Sequence, residues 1–100
     1  MANSFKTSTN LWIVEDTGDL NTTAVVVMAV VYIPGDVDQD LIISDTDDNY
    51  AIVLKAGATD VSPICFNFHP YGREYLNLKC HTIDGGTAYI YLKDKRILHY

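Results

Sequence analysis

The chain has 100 residues, of which 48% are apolar and 20% charged, with a formal net charge of −6. That composition belongs to a single globular domain and excludes a disordered chain. The acidic balance argues against a general nucleic-acid binder, because phosphate affinity rests on clustered Lys and Arg. Lys93, Lys95 and Arg96 come nearest to a basic run, and Asp94 interrupts them.

Met1 to Asn10 is polar and reads as a flexible arm of the one domain, residues 1–100. It lacks the apolar segment of a signal peptide. Leu11-Trp12-Ile13-Val14 is the first apolar cluster, a short strand, and Glu15 to Asn21 is a loop. The segment TTAVVVMAVVYIP follows. Its β-branched residues favour a strand, and Pro34-Gly35 ends it. The apolar run from Ala24 to Ile33 is too short to span a bilayer as a helix, so no membrane partner is expected. Strict alternation puts Val25, Val27, Ala29, Val31 and Ile33 on one face, with Ala24, Val26, Met28, Val30 and Tyr32 on the other. Both faces are apolar, unlike an antiparallel strand with one wet side. Such a strand is either covered on both sides or meets another subunit.

Gly35 to Asp40 is an acidic loop. Leu41 to Ser44 and Tyr50 to Leu54 form a hairpin around Asp45 to Asn49. Ala56 to Asp60 is a loop, Ile64 to Phe68 a strand, and Pro70 to Arg73 a turn. From Glu74 to Lys93 the pattern is two strands joined at Asp84-Gly85-Gly86, a strong hairpin signal because such turns need φ > 0. In the first strand Leu76, Leu78 and Cys80 point inward, with Tyr75, Asn77, Lys79 and His81 outward. In the second, Ala88, Ile90 and Leu92 point inward, with Thr87, Tyr89, Tyr91 and Lys93 outward. Arg96 to Tyr100 adds a short terminal strand. No segment has helical periodicity. The expected fold is all-β, an antiparallel β-sandwich, jelly-roll-like, with about seven to eight strands.

Asp36, Asp38 and Asp40 have the D-x-D-x-D spacing of a calcium loop. However, Leu41 stands where an EF-hand needs Gly, and Asp47 where it needs Glu. Asp45, Asp47 and Asp48 lie one strand away, ~13 Å, so the two clusters cannot share an ion. Solvated turns are the better reading, and no metal or other cofactor is expected. His69, His81 and His99 are isolated, and no zinc spacing occurs. Ser44, Ser62, Cys65 and Cys80 lie outside any nucleophile motif, so no enzyme activity is expected. Cys80 points inward and Cys65 lies opposite Ile64, Phe66 and Phe68, which argues against a bridge between them.

The aromatic face carries the interaction reading. Tyr75, Tyr89 and Tyr91 share the outward side of the last hairpin with His81. Tyrosine is enriched in interfaces. Together with Val25, Val27 and Val31 these residues are the expected contact surface for self-association as a dimer or trimer. The alternative is a carbohydrate-binding module in which the three tyrosines stack on a glycan.

The order of features from Ala24 to Lys93 resembles that of small head and tail structural proteins of tailed bacteriophages and prophages. It consists of V-V-Y-I-P, the acidic hairpin L-I-I-S-D-T-D-D-N, the segment Y-G-R-E-Y-L-N-L-K, and D-G-G-T-A-Y-I-Y-L. The resemblance implies a β-sandwich virion component, of decoration or tail-associated type, that assembles symmetrically and contacts other virion proteins. It implies no catalytic residues.

Overall fold

The computed structural model describes residues 3–6, 10–20, 24–45, 49–68, 71–75 and 77–93. Ten strands follow in chain order: β1 (Ser4–Lys6), β2 (Leu11–Val14), β3 (Gly18–Asp19), β4 (Val25–Ile33), β5 (Asp40–Ser44), β6 (Tyr50–Lys55), β7 (Ile64–Asn67), β8 (Arg73–Tyr75), β9 (Lys79–Ile83) and β10 (Thr87–Leu92). No helix occurs among the described residues, and none is long and apolar enough to cross a membrane.

The chain behaves as a two-stranded ribbon. β2 to β5 run out, and β6 to β10 return alongside. β5 pairs with β6, β4 with β7 and β8, β3 with β9, and β2 with β10, all antiparallel. Folding the ribbon over sets β10 beside β4 and β9 beside β5. Two sheets result, in the orders β1-β2-β10-β4-β7, with β8 also on β4, and β3-β9-β5-β6. This is the jelly-roll connectivity. β7 and β8 are one interrupted strand, since both run along the same side of β4. Three strands go beyond the expected set. β1 and β3 add short edge pieces, and β8 is separate from β9.

Ser4–Lys6 pairs with β2, so the N-terminal arm is not simply flexible. Asn3 reinforces it, its Oδ1 accepting from the Glu15 and Asp16 backbone N–H groups at 2.8 and 2.9 Å. His69, Leu76, Asp47, Asp48, His99 and the expected terminal strand Arg96 to Tyr100 lie outside the described residues.

The larger correction concerns Glu74 to Lys93, which is not a hairpin. β9 belongs to the smaller sheet and β10 to the larger. The Asp84-Gly85-Gly86 turn therefore crosses between sheets, and is bonded to both. Tyr32 Oη on β4 donates to the Gly85 carbonyl at 2.6 Å. Asp84 N–H donates to the Asp40 carbonyl at 3.1 Å, and Asp40 N–H to Asp84 Oδ2 at 2.9 Å. Gly86 has φ +79°, and a Cβ there would run into the Ile33 carbonyl. Only glycine fits such a position without strain.

The core lies between the sheets. Trp12, Val14, Val27, Val30, Tyr32, Ala88 and Ile90 come from the larger sheet. Leu41, Ile43, Ile52, Leu54, Leu78 and Cys80 come from the smaller. A β-bulge decides the faces of β4. Tyr91 pairs with Ala29 but Leu92 with Val27, so Met28 is an extra residue. A bulge of this kind shifts the period-2 alternation by one. Val25 and Val27 therefore pack inward before it, and Val30 and Tyr32 after it. The bulge is braced by Gly72 (φ +79°), where a Cβ would lie 2.7 Å from both Met28 Sδ and Val26 Cγ1.

Candidate interaction surface

The outer face of the larger sheet is built from cross-strand rows. Ile13, Tyr89, Val31 and Cys65 form one, across β2, β10, β4 and β7. Leu11, Tyr91, Ala29 and Asn67 form the next. Thr87 and Ile33 begin a third. The alternate rows, Trp12-Ile90-Val30 and Val14-Ala88-Tyr32, are buried, so these three face away from the core. Tyr91 is 44% exposed and Ile33 40%. Cys65 is also exposed, while Leu11, Ile13, Ala29, Val31 and Tyr89 are half-buried by one another.

Across β2, β10, β4 and β7 the rows hold no charged residue; at their margins Lys6 of β1 pairs with Leu11, and the Thr87 hydroxyl donates to the Glu15 carboxylate at 3.2 Å. At strand spacings of ~4.8 Å and residue rises of ~3.3 Å the rows cover roughly 14 by 13 Å. That is about the apolar centre of an interface, since stable interfaces bury ~800 Å² per partner within a polar rim.

The expected contact residues do not share one surface. Tyr89, Tyr91 and Val31 lie together on this face. Val25 and Val27 do not, because the bulge turns them into the core; Val27 is fully buried. Tyr75 pairs with the inward Val25. Its ring meets Phe68 edge-to-face at 5.9 Å and lies beneath the Arg73 guanidinium at 5.4 Å. Burial raises the pKa of its hydroxyl, and Arg73 opposes that shift. His81 is on the smaller sheet, 5.2 Å from the Tyr50 ring centroid, with Nδ1 2.8 Å from Thr82 Oγ1. It is the extra residue of a second bulge, where Ile42 pairs with Thr82 but Ile43 with Cys80. Tyr75 and His81 thus lie off the face that holds Tyr89 and Tyr91.

Sequence reasoning missed Leu11, Ile13 and Cys65 as members of the face. Their alternation within each strand was visible, but their place beside Tyr89, Tyr91 and Val31 depends on sheet order.

The acidic loop is at the end of the sandwich. Asp36 Oδ1 accepts from Val37 N–H at 2.7 Å, and Asp38 takes a positive φ of 58°. Asp40 opens β5 and is tied to the crossover turn. Among the described residues no group of three or more His, Cys, Asp or Glu is arranged to hold a metal ion. Cys65 and Cys80 are unbridged, one exposed and one buried. Burial, with a smaller contribution from Asp16, pushes the Cys80 thiol up to about 11.

Comparison with family models, with curated proteins and with solved structures finds no match. Fold and surface define a small jelly-roll sandwich with an apolar outer face on its larger sheet.

Proposed function

We propose that the protein is a non-enzymatic structural component of a phage or prophage virion that works by self-association. The observation that carries this reading is the uncharged outer face formed by Ile13, Tyr89, Val31, Leu11, Tyr91 and Ala29. The partner is a second copy of the chain. The whole chain bears −6, and two copies repel least through the uncharged centre of this face, with Glu15 only at its margin. A symmetric pairing lets each apolar row cover its counterpart. Jelly rolls are a recurrent architecture of viral coat proteins, which supports the virion assignment by analogy of fold. Contacts with other virion proteins and assembly in the bacterial cytoplasm belong to the same reading.

Sedimentation equilibrium at micromolar concentration tests the association. The expected mass is two or three times 11.2 kDa. A single-chain mass would overturn it, leaving the face to be covered by the chain itself, with Ile97, Leu98 and Tyr100 the segment to delete next. The virion assignment is tested separately, by mass spectrometry of purified phage particles from a strain carrying the gene. Absence of the chain from the particles would remove it.

A further inference from the structure

A second surface, independent of the self-association face, is the open edge of the smaller sheet. β6 ends the order β3-β9-β5-β6, and no strand among the described residues pairs with its far side. Sheet edges are usually blunted by brevity, Pro, bulges or charge. The other edge strands here are short: β1 and β8 have three residues, β3 two and β7 four. β6 has six, Tyr50-Ala51-Ile52-Val53-Leu54-Lys55, without Pro. A register shift at Ile43/Ser44 disturbs only its first residues, and its one charge is Lys55.

The pairing says which backbone groups face outward. Ala56 N–H donates to the Gln39 carbonyl at 2.9 Å, one step beyond the Asp40–Lys55 pair. Hydrogen-bonded pairs alternate along an antiparallel ladder. Leu54 and Ile52 are therefore the residues bonded to β5. The N–H and C=O groups of Val53 and Lys55 point to the open edge. Both side chains are exposed, Val53 by 55%. An added strand would take these backbone bonds and set a side chain beside Val53.

Charge says which strand. At the Lys55 end the acidic loop closes on the chain after β6, since Asp38 N–H donates to the Gly57 carbonyl at 3.1 Å. Asp40 pairs with Lys55, and Asp84 accepts from Asp40 N–H. With Asp36 and Asp60, five carboxylates gather there around one ammonium group. The Tyr50 end is nearer balance. Asp45 and, by sequence, Asp47 and Asp48 stand with Arg73 of β8 and with Lys79 beside Ser44. A second copy pairing antiparallel through its own β6 would set the acidic end against this net-negative one, so like charge disfavours it.

We propose that the β6 edge receives an extended cationic segment of a second protein. The segment adds a strand to the smaller sheet, with Lys or Arg beside the acidic loop and an apolar residue beside Val53. None of the residues of the self-association face takes part, so this inference stands or falls without that reading.

The test is amide-detected NMR of the whole chain. In the free protein the Val53 and Lys55 amides should exchange with solvent faster than those of Ile52 and Leu54. Slow exchange at both would mean that the edge is already taken, by a second copy or by the chain's own basic run Lys93, Lys95 and Arg96, and overturns the proposal. The probe is a capped synthetic peptide of two lysines followed by alternating valine and threonine; its counterpart has glutamates for the lysines. The lysine peptide should give saturable shifts at Val53 and Lys55 and slow both amides. The glutamate peptide should bind at least about tenfold more weakly. Asp36→Asn, Asp38→Asn and Asp60→Asn together should weaken the lysine peptide about tenfold, as loss of three exposed charge contacts does, while exchange at Ile52 and Leu54 stays as it was. No response to the lysine peptide overturns the proposal. So do equal binding of the two peptides, unchanged binding to the triple variant, or shifts confined to the outer face of the larger sheet.

Discussion

The hydroxyl of Tyr32, on the larger sheet, donates to the carbonyl of Gly85 in the turn arriving from the smaller one. Tyr32 is fully buried, so the donor end of this part-buried bond is shielded from water. It fixes the turn where the chain changes sheets. Tyr32→Phe keeps the packing and removes the bond. It should cost about 1 kcal/mol, read as a lower urea midpoint with unchanged m-value. No change in midpoint would mean that the turn is held by Asp40 and Asp84 alone.

Gly86 supports the same crossover by its backbone. Gly86→Ala places a methyl group against the Ile33 carbonyl at a positive φ. It should lower the melting temperature well beyond Gly57→Ala, whose Cβ would meet only ordinary contacts from 3.6 Å outward. Equal melting temperatures would show that the turn relaxes freely.

The bulge at Met28 separates two valines that strict alternation unites. Val27→Asp puts an unpaired charge in the core and should prevent folding, against a total stability of only ~5–15 kcal/mol. Val31→Asp lies on the outer face and should fold, while shifting sedimentation towards the single chain. If the two variants melt alike, β4 carries no bulge.

The two thiols should behave oppositely. Iodoacetamide at mildly alkaline pH should modify exposed Cys65 in the native protein and reach buried Cys80 only in denaturant. Because Cys65 stands in the row of Tyr89 and Val31, its labelling should slow as protein concentration rises. A rate independent of concentration would argue against that face as the contact.

Cys80 also sets an alkaline limit. Its thiol is raised from 9.0 to about 11, so above about 9 the unfolded chain loses a proton that the folded chain keeps. Stability is full below that pH and falls as pH rises through 9 to 11, by at most ~1.4 kcal/mol per unit. Tyr32, raised from 10.0 by burial and then by Asp84 and Asp40, adds a fall in the same direction above about 10. Cys80→Val should flatten the first part of the decline, as followed by denaturant titration at each pH.

Local pattern was enough for Leu11–Val14, for the Leu41 to Leu54 hairpin, and for the inward set Leu78, Cys80, Ala88 and Ile90. Each shows its face within a few residues. The Asp84-Gly85-Gly86 turn misled because the same chemistry serves a hairpin and a crossing between sheets; only the pairing of β9 and β10 separates them. The bulge in β4 left no trace, since its extra residue is apolar within an apolar run. β3 is Gly18–Asp19, with no strand-forming composition. Pairing with Lys79 and Cys80, and the bond from Leu20 N–H to the Leu78 carbonyl at 2.8 Å, place it in the sheet. The face was half legible in Tyr89, Tyr91 and Val31.

The middle strand of the larger sheet is β10, flanked by β2 and β4, yet of the ten described strands it is the last in chain order. Until Thr87–Leu92 emerges, β2 and β4 have nothing to join them. The β5–β6 hairpin, by contrast, closes over a few residues and can form early. Loop closure of this length makes such topologies slow, in the millisecond-to-second range. For most of synthesis, the apolar strand Val25–Ile33 therefore lacks its central neighbour and depends on chaperones or on rapid completion. A chain stalled before Thr87 should stay protease-sensitive in β2 and β4, and emergence of Thr87–Leu92 should protect both at once.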